Sequence, residues 1–189
     1  MKFFKKLVGD NIYLSPQSVD EEIIEKFTEW LNDFNITDYI GRSAGAMTIE
    51  GERKWFENPK SEDRVFFIVR KEDDKLIGTM GLHQIHPVNR TATLGIFIGE
   101  KDGRNKGYGT EAIRLILESG FKYLNLNNIK LDVLEFNPRA IACYKKCGFK
   151  EYGRRRKSEF LYGKYYDRVE MDILAEEFED DFIRNKNIK

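Results

Sequence analysis

Two glycines in a basic loop are the residues of this sequence whose spacing most directly suggests chemistry. The segment 104–112 reads Arg-Asn-Lys-Gly-Tyr-Gly-Thr-Glu-Ala and lies between a β-rich run and a long amphipathic pattern. Glycine lets the backbone approach a ligand closely, free N–H groups at the start of a helix bind anions, and the helix dipole favours negative charge. The segment is therefore predicted to bind a diphosphate.

The glycine spacing alone leaves the identity of that diphosphate open. Residues 107–112 (Gly-x-Gly-x-x-Ala) also fit the dinucleotide-binding fingerprint, and Glu135 follows at the end of the next strand, where a ribose-binding acid could lie. Against this alternative, the motif follows an antiparallel meander, and only one βαβ unit is predicted. The loop is also longer and more basic than the tight turn of the fingerprint. A P-loop is excluded because neither Lys-Ser nor Lys-Thr follows the second glycine.

Composition indicates one globular domain without a strong electrostatic preference. The 189 residues are 41% apolar and 34% charged, with Lys plus Arg equal to Asp plus Glu at 32 each. No net charge therefore draws the protein towards nucleic acid or a membrane. One domain is expected over residues 1–189, with a core at about 10–175 and a tail, docked or frayed and helical, at 176–189.

Targeting and cysteine signals point to the cytoplasm. The basic, apolar residues 1–8 end too early for a signal peptide, and no apolar run approaches the ~20 residues of a membrane span. Cys143 and Cys147 have no metal-ligand companions nearby. They are expected to be reduced thiols, so neither a disulfide nor a metal site is predicted.

Hydrophobic periodicity predicts the elements that lead into the loop. A short strand should end at Pro16, and Ser18 is the candidate N-cap of a helix that carries apolar residues from Ile23 to Phe34. An irregular segment and a second helix should follow, and then an antiparallel meander of three strands. The predicted positions are 35–47 for the irregular segment, 48–58 for the helix, and 65–70, 76–85 and 91–99 for the strands.

The loop itself is expected inside one right-handed βαβ unit. The strand 91–99, the helix 108–124 and the strand 129–136 follow in that order, which makes the two strands parallel. Asn137 and Pro138 then start a further helix that ends at Gly148. Two strands around a Gly163 turn close the fold, which is of the mixed-sheet α/β class.

Several motifs together resemble the GNAT superfamily of N-acetyltransferases. Arg104-x-x-Gly107-x-Gly109 resembles the phosphate loop of that family, and the segment 137–149 (Asn-Pro-Arg-Ala-Ile-Ala-Cys-Tyr-Lys-Lys-Cys-Gly-Phe) is similar to the subgroup of the ribosomal-protein acetyltransferases. The segment 163–171 also fits this subgroup. The resemblance covers about residues 10–175, with its parts in the family's order and spacing.

The resemblance implies acetyl-CoA as co-substrate, bound in a gap where the strands 91–99 and 129–136 splay apart. The implied diphosphate site is the loop backbone, with the charges of two loop cations in support, and the pantetheine arm would pair with the end of the strand 91–99. The side-chain amide of Asn137 would bind the same arm, although Asn137 also fits a plain helix cap. The implied cofactor-binding residues are Phe97, Ile98, Gly99, Arg104, Asn105, Lys106, Gly107, Tyr108, Gly109, Thr110 and Asn137.

The implied reaction is direct attack of a primary amine on the thioester. A backbone N–H at the end of the strand 91–99 could stabilise the oxyanion. Tyr144 matches the general acid of the family and would donate a proton to the leaving thiolate, although it could also be a core aromatic. The general base stays open among four candidates, namely His83, His86, Glu100 and Glu135.

The sequence leaves the acceptor open among a protein N-terminus, a polyamine and another small amine. A non-catalytic acyl-CoA-binding module is the alternative from a different class.

The basic run 154–157 is interpreted as a charged, solvated edge strand, with an anionic partner or a second CoA contact as the alternatives. The aromatic side chains near the last turn could line an acceptor site, a homodimer interface or the core. They are Phe160, Tyr162, Tyr165 and Tyr166.

Overall fold

The computed structural model of the chain describes residues 2–179 and 181–185, in which eight strands form one sheet. Its strand order is β1-β2-β3-β4-β5-β6-β8-β7. All neighbouring strands are antiparallel except β5 and β6, which are parallel. The strands are β1 (Leu7–Val8), β2 (Ile12–Pro16), β3 (Arg64–Arg70), β4 (Lys75–His86), β5 (Thr91–Ile98), β6 (Asn128–Leu134), β7 (Lys150–Leu161) and β8 (Lys164–Leu174).

Five α-helices cover the two faces of this sheet in the described part of the chain. They are α1 (Glu21–Trp30), α2 (Phe34–Ile40), α3 (Ile49–Glu57), α4 (Tyr108–Glu118) and α5 (Pro138–Lys146). A π-helical turn at Ser119–Tyr123 extends α4. None of the helices formed by described residues is long and apolar enough to cross a bilayer.

Alternation along the strands separates the core into two clusters. Tyr13 and Phe67 pack with α1, α2 and α3, whereas their neighbours Leu14 and Ile68 pack with α4 and α5 on the opposite face. This follows from the period of two in a strand, since successive side chains point to opposite faces. The predicted meander, βαβ unit and closing hairpin are confirmed by this arrangement.

The parallel pair β5–β6 separates soon after it begins. Only three residue pairs join the strands, from Thr91 with Asn128 to Thr93 with Lys130. Beyond them β5 stays with β4 as far as Ile98, and β6 stays with β8 as far as Leu134. A gap therefore opens between the carboxyl-terminal halves of β5 and β6, as the family resemblance implies.

The structure corrects the prediction for residues 18–47. Asp20 caps α1, accepting from the Glu22 N–H at 3.0 Å, so Ser18 is not the N-cap. The helix ends at Trp30, and the separate helix α2 occupies part of the segment predicted to be irregular. Seven residues rich in β-branched and short polar side chains carry a weak helical signal, and α2 depends on its Asp33 cap and on burial of Ile36.

The two ends of the chain also differ from the prediction. Residues 7–8 form β1, which the sequence did not indicate. The tail is docked without an α-helix in its described residues, because the carboxylate of Glu118 accepts from the Ile183 N–H at 2.9 Å and Phe178 is buried. The remainder of the predicted tail, residues 180 and 186–189, and Met1 lie outside the described residues.

An aromatic cluster fixes α1 and α3 on the sheet, and its centre is Phe27. The centroid of the Phe27 ring lies 5.2 Å from those of Trp30 and Phe56, and 5.7 and 5.9 Å from those of Phe67 and Phe97. Phe27 is 1% exposed. Its position connects two helices with two strands.

We expect Phe27→Ala to lower the free energy of unfolding by about 3–5 kcal/mol, because it removes a fully buried ring and leaves a cavity. Urea denaturation followed by circular dichroism would measure the change. Phe4→Ala is the matched control, since Phe4 is 59% exposed and its removal should cost less than about 0.5 kcal/mol. Equal losses in the two variants would contradict the central role of Phe27.

Candidate active site

A cleft of about 750 Å³ passes through the sheet where β5 and β6 separate. Residues of α4 and α5 line it on one face, and residues of α1, α2 and α3 line it on the other. Of the predicted cofactor-binding residues, Gly99 and Lys106 are not part of its lining. Those that line it are Phe97, Ile98, Arg104, Asn105, Gly107, Tyr108, Gly109, Thr110 and Asn137, together with the predicted acid Tyr144.

The N-terminus of α4 presents free backbone donors to this cleft. Gly107 adopts φ +84°, and no side chain caps the helix, whose first backbone bond runs from the Glu111 N–H to the Gly107 carbonyl. Within the described residues, the N–H groups of 108–110 have no acceptor. A Cβ atom added to Gly107 or Gly109 would meet nothing within 4 Å. Open space and unpaired donors at a helix N-terminus fit a diphosphate group.

Arg104 holds the loop in place through its side chain. Its guanidinium donates to the carbonyls of Gly99 at 3.0 Å and Ile98 at 3.3 Å, so its donors are directed at the end of β5. Lys106 is exposed. The sequence did not single out Arg139, which lines the cleft 3.5 Å from the Asn105 side-chain oxygen and adds positive charge beside the free N–H groups.

The open edge of β5 is set by its pairing with β4. The Gly99 N–H donates to the Ile77 carbonyl, and Phe97 lies opposite Thr79. Because alternate residues of an antiparallel strand bond to the same neighbour, Ile96 and Ile98 direct their backbone groups towards the gap. Of the residues 97–99 predicted to pair with a pantetheine arm, Ile98 is the one on this side, and Ile96, which the sequence did not single out, shares its direction. The pairing itself stays a prediction.

Gly99 has a steric reason to be glycine. A Cβ atom at this position would lie 2.2 Å from the ring of Trp30. The predicted role of Gly99 in cofactor binding stays a prediction, and the structure adds a packing role at the end of β5.

Asn137 caps α5 with one end of its amide and leaves the other end available. Its side-chain oxygen accepts from the Ala140 N–H at 3.2 Å. The side-chain nitrogen has no acceptor within the described residues, and Asn137 lines the cleft. A cap and a cofactor contact are therefore compatible at this position, since they use different atoms.

Tyr144 belongs both to the core and to the cleft. It is 9% exposed, and its ring packs against Phe149 at a centroid distance of 5.9 Å. Its hydroxyl has no hydrogen-bond partner in the described part of the chain. Burial, reinforced by the nearby Cys143 and Asp132, raises the pKa of Tyr144 and keeps the phenol protonated.

Three of the four candidate bases lie outside the cleft and have other partners. Burial raises the pKa of Glu100, but hydrogen bonds from Lys26 at 2.5 Å and Lys75 at 2.7 Å outweigh it and leave this pKa below its ordinary value. Glu135 accepts from the Asp167 N–H at 2.8 Å. His86 is exposed and accepts from the Asn89 N–H at 3.0 Å.

His83 is the candidate base that lines the cleft. Its Nδ1 lies 2.7 Å from the Asp63 carboxylate, which orients the ring and leaves Nε2 as the free nitrogen. Gly81 and Gly95 make room for this ring, because added Cβ atoms would lie 3.1 and 3.3 Å from Nε2. Asp63 was missed because twenty residues separate it from His83 in the sequence.

Two further cleft residues were missed as functional candidates. Glu52 on α3 is 3% exposed, and burial raises its pKa. The Cys143 thiol lies 3.2 Å from the Thr110 hydroxyl, and hydrogen bonds from Cys147 and Thr110 lower the pKa of Cys143. The sequence spacing of these residues indicates only which face of a helix they occupy. That this face borders the cleft could be seen only in the tertiary structure.

The basic run and the closing aromatic side chains are not part of the cleft lining. Arg154 pairs with Glu151 at 2.9 Å and Arg155 lies 3.6 Å from Glu170, on a strand at the edge of the sheet. The aromatic residues at 160, 162, 165 and 166 are not part of the cleft lining, and their use in a homodimer interface stays a prediction. Among the described residues, no group of three or more His, Cys, Asp or Glu is arranged to hold a metal ion.

Comparison with known proteins identifies the family. The family model described as "Acetyltransferase (GNAT) domain" matches residues 13–150. The probable N-acetyltransferase YjcK of Bacillus subtilis is 33% identical over 176 residues, covering 89% of this chain and 96% of that protein. The putative ribosomal N-acetyltransferase YdaF of Bacillus subtilis is 32% identical over 107 residues, covering 57% and 58%.

A solved structure gives the same result. The spermidine N-acetyltransferase of Vibrio cholerae, in complex with CoA and spermine, superposes with a TM-score of 0.80 at 25% identity, over 89% of this chain and 98% of that chain. The fold and the cleft define an acyltransferase of the acetyl-CoA-dependent class. The chain belongs to the GNAT family of N-acetyltransferases, which confirms the predicted family, fold class and co-substrate.

We expect Gly109→Ala to weaken CoA binding roughly 10- to 100-fold. The added methyl group would occupy the open space at the start of α4 and cost about one hydrogen bond to the charged diphosphate. The fold should be as stable or more so, since alanine is favoured over glycine in a helix by about 1 kcal/mol. Isothermal titration with CoA and thermal melts would measure both.

Gly153→Ala is the matched control for this variant. An added Cβ atom there has its nearest contact at 4.0 Å, and the residue is outside the cleft lining. CoA affinity should stay unchanged in the control. Wild-type affinity in Gly109→Ala would show that the start of α4 is not the diphosphate site.

Proposed function

We propose that the chain transfers the acetyl group of acetyl-CoA to a primary amine by direct attack, with Tyr144 as general acid. The observation that carries this proposal is the cleft between β5 and β6, which is lined from both faces of the sheet. The donor can enter from the α4–α5 face and the acceptor from the α1–α3 face. The two then meet where the strands part, without an acylated enzyme.

The donor face supplies binding groups for each part of acetyl-CoA. The free N–H groups of 108–110 and the charge of Arg139 suit the diphosphate. The backbone groups of Ile96 and the N–H of Ile98 face the gap and suit the amides of the pantetheine arm, which would pair with β5 like an added strand. The side-chain nitrogen of Asn137 can donate to the same arm.

The chemistry then follows from the groups around the gap. A neutral amine attacks the thioester carbonyl, forming a C–N bond, and a backbone N–H on the open edge of β5 stabilises the oxyanion. The C–S bond breaks as the intermediate collapses, and Tyr144 donates its proton to the departing thiolate. The attacking nitrogen loses a proton to a base, so the products are an N-acetylated amine and CoA.

His83 is our proposed proton acceptor. Phe97, opposite Thr79, packs with α1, so the side chains at alternate β4 positions 79, 81 and 83 face the acceptor half of the cleft. The hydrogen bond with Asp63 holds the proton on Nδ1 and stabilises the imidazolium that forms. Its Nε2 can accept a proton directly or through one water molecule.

We also propose a cytoplasmic location, because Cys143 and Cys147 are both free thiols and cysteines persist as free thiols in reducing compartments. The GNAT domain is proposed to span the whole described sheet, as one unit. A protein N-terminus, a polyamine and another small amine are the acceptor classes that this reaction allows.

We expect Tyr144→Phe to lower kcat by about 10²- to 10⁴-fold, the usual contribution of a general acid, with the Kd for CoA unchanged. Release of free thiol from acetyl-CoA with a panel of amines would measure turnover. Because burial raises the pKa of Tyr144, deprotonation of this residue should not reduce the wild-type rate below about pH 10. Unchanged turnover in the variant would remove the acid role.

We expect His83→Gln to lower kcat/KM by about 10²- to 10⁴-fold. His86→Gln is the matched control, since His86 is exposed and lies outside the cleft lining, and its kcat/KM should match wild type. If the two variants behave alike, another group or water accepts the proton.

A further inference from the structure

Glu52 is a buried carboxylate that faces the acceptor half of the cleft without a partner. Its residue is 3% exposed, and it lines the cleft from α3. In the described part of the chain, its side chain makes no hydrogen bond and no ion pair. Buried carboxylates are ordinarily paired, because the loss of hydration is costly.

The surroundings of Glu52 do not compensate its charge. Phe27, Met47 and Trp55 line the same part of the cleft, and burial raises the pKa of Glu52. Arg42 also lines the cleft and opposes this shift, but it lies beyond ion-pair distance. The other carboxylate in the lining, Asp132, is already paired with Arg168.

We propose that Glu52 binds a second ammonium group of the acceptor, one that is not acetylated. This inference rests on the proposed acetyl transfer to an amine. A carboxylate beside the attacking nitrogen would favour its protonated form, which cannot attack. A carboxylate across the cleft can instead hold a separate cation and direct the neutral nitrogen towards the thioester.

The acceptor class that fits is an α,ω-diamine or a polyamine with a short aliphatic spacer. Its methylene groups would lie against the apolar lining, which includes the ring of the exposed Trp55. A monoamine of the same length would leave Glu52 unpaired. A protein N-terminus does not carry a second ammonium group at a fixed short distance.

The test compares 1,4-diaminobutane with butylamine in wild type, Glu52→Gln and Glu50→Gln. Wild type should acetylate the diamine with a lower KM than the monoamine. Glu52→Gln should raise the KM for the diamine roughly 10- to 100-fold, the effect of losing a hydrogen bond between charged groups. It should leave the KM for butylamine and the Kd for CoA unchanged.

Glu50→Gln is the matched control, because it removes the same charge from an exposed position on the same helix. Its kinetics should equal those of wild type. Glu52→Asp keeps the charge on a shorter side chain and should give an intermediate KM for the diamine. If Glu52→Gln does not fold, the KM of Glu52→Asp for the diamine tests the role of Glu52.

Equilibrium binding separates this inference from the proposed function. Titration of 1,4-diaminobutane into CoA-saturated protein should give binding that Glu52→Gln weakens by the same factor. Binding that depends on Glu52 without any acetyl transfer would refute the proposed function alone. Equal binding in wild type and Glu52→Gln, or a lower KM for butylamine or an N-terminal peptide than for the diamine, would overturn the role of Glu52.

Discussion

The separation of β5 from β6 is the constraint on which the rest of the structure depends. Each strand is held on its outer side, β5 by β4 and β6 by β8, so three pairs at the start of the parallel contact suffice to join the two halves of the sheet. The remaining backbone groups on the inner edges would be unsatisfied in a closed core. They are tolerated because they face a cleft in which a ligand or water can bond to them.

The N-termini of α4 and α5 meet at this gap, and the way in which each is capped determines which donor groups the gap contains. The segments that start α4 and α5 both line the cleft, which brings two positive dipole ends to one place. They are capped differently. At the start of α4, Gly107 has no side chain to act as a cap, so the first N–H groups of the helix stay free for an anion. At the start of α5, the side-chain oxygen of Asn137 is the cap, and the side-chain nitrogen stays available. Because α5 begins at the edge of the gap and continues along the cleft, Tyr144 near the end of α5 also lines it.

The features that the sequence predicted are those that local patterns control. The period of two in the strands, the glycine loop and the Asn137-Pro138 helix start all depend on neighbouring residues, and the family motif located Tyr144. Long-range contacts control what was missed. Glu52 appears in a helix beside the charged residues Glu50 and Arg53, which is the pattern of a solvated face, and only packing of α3 on the sheet buries it. Asp63 becomes a partner of His83 only when β3 pairs with β4.

The two halves of the cleft present different polar groups. The donor face carries the free N–H groups of α4 and the guanidinium of Arg139, so it favours an anionic diphosphate. The other half carries Arg42, the Asp132–Arg168 pair, the unpaired Glu52 and the Asp63-bound His83, so the site that we propose for a cation depends on the local position of Glu52. An amine that enters from the donor face would meet positive potential, and a diphosphate on the other face would meet a carboxylate. In the proposed reaction, the gap between β5 and β6 is the place where the acceptor amine loses a proton and meets the acyl donor.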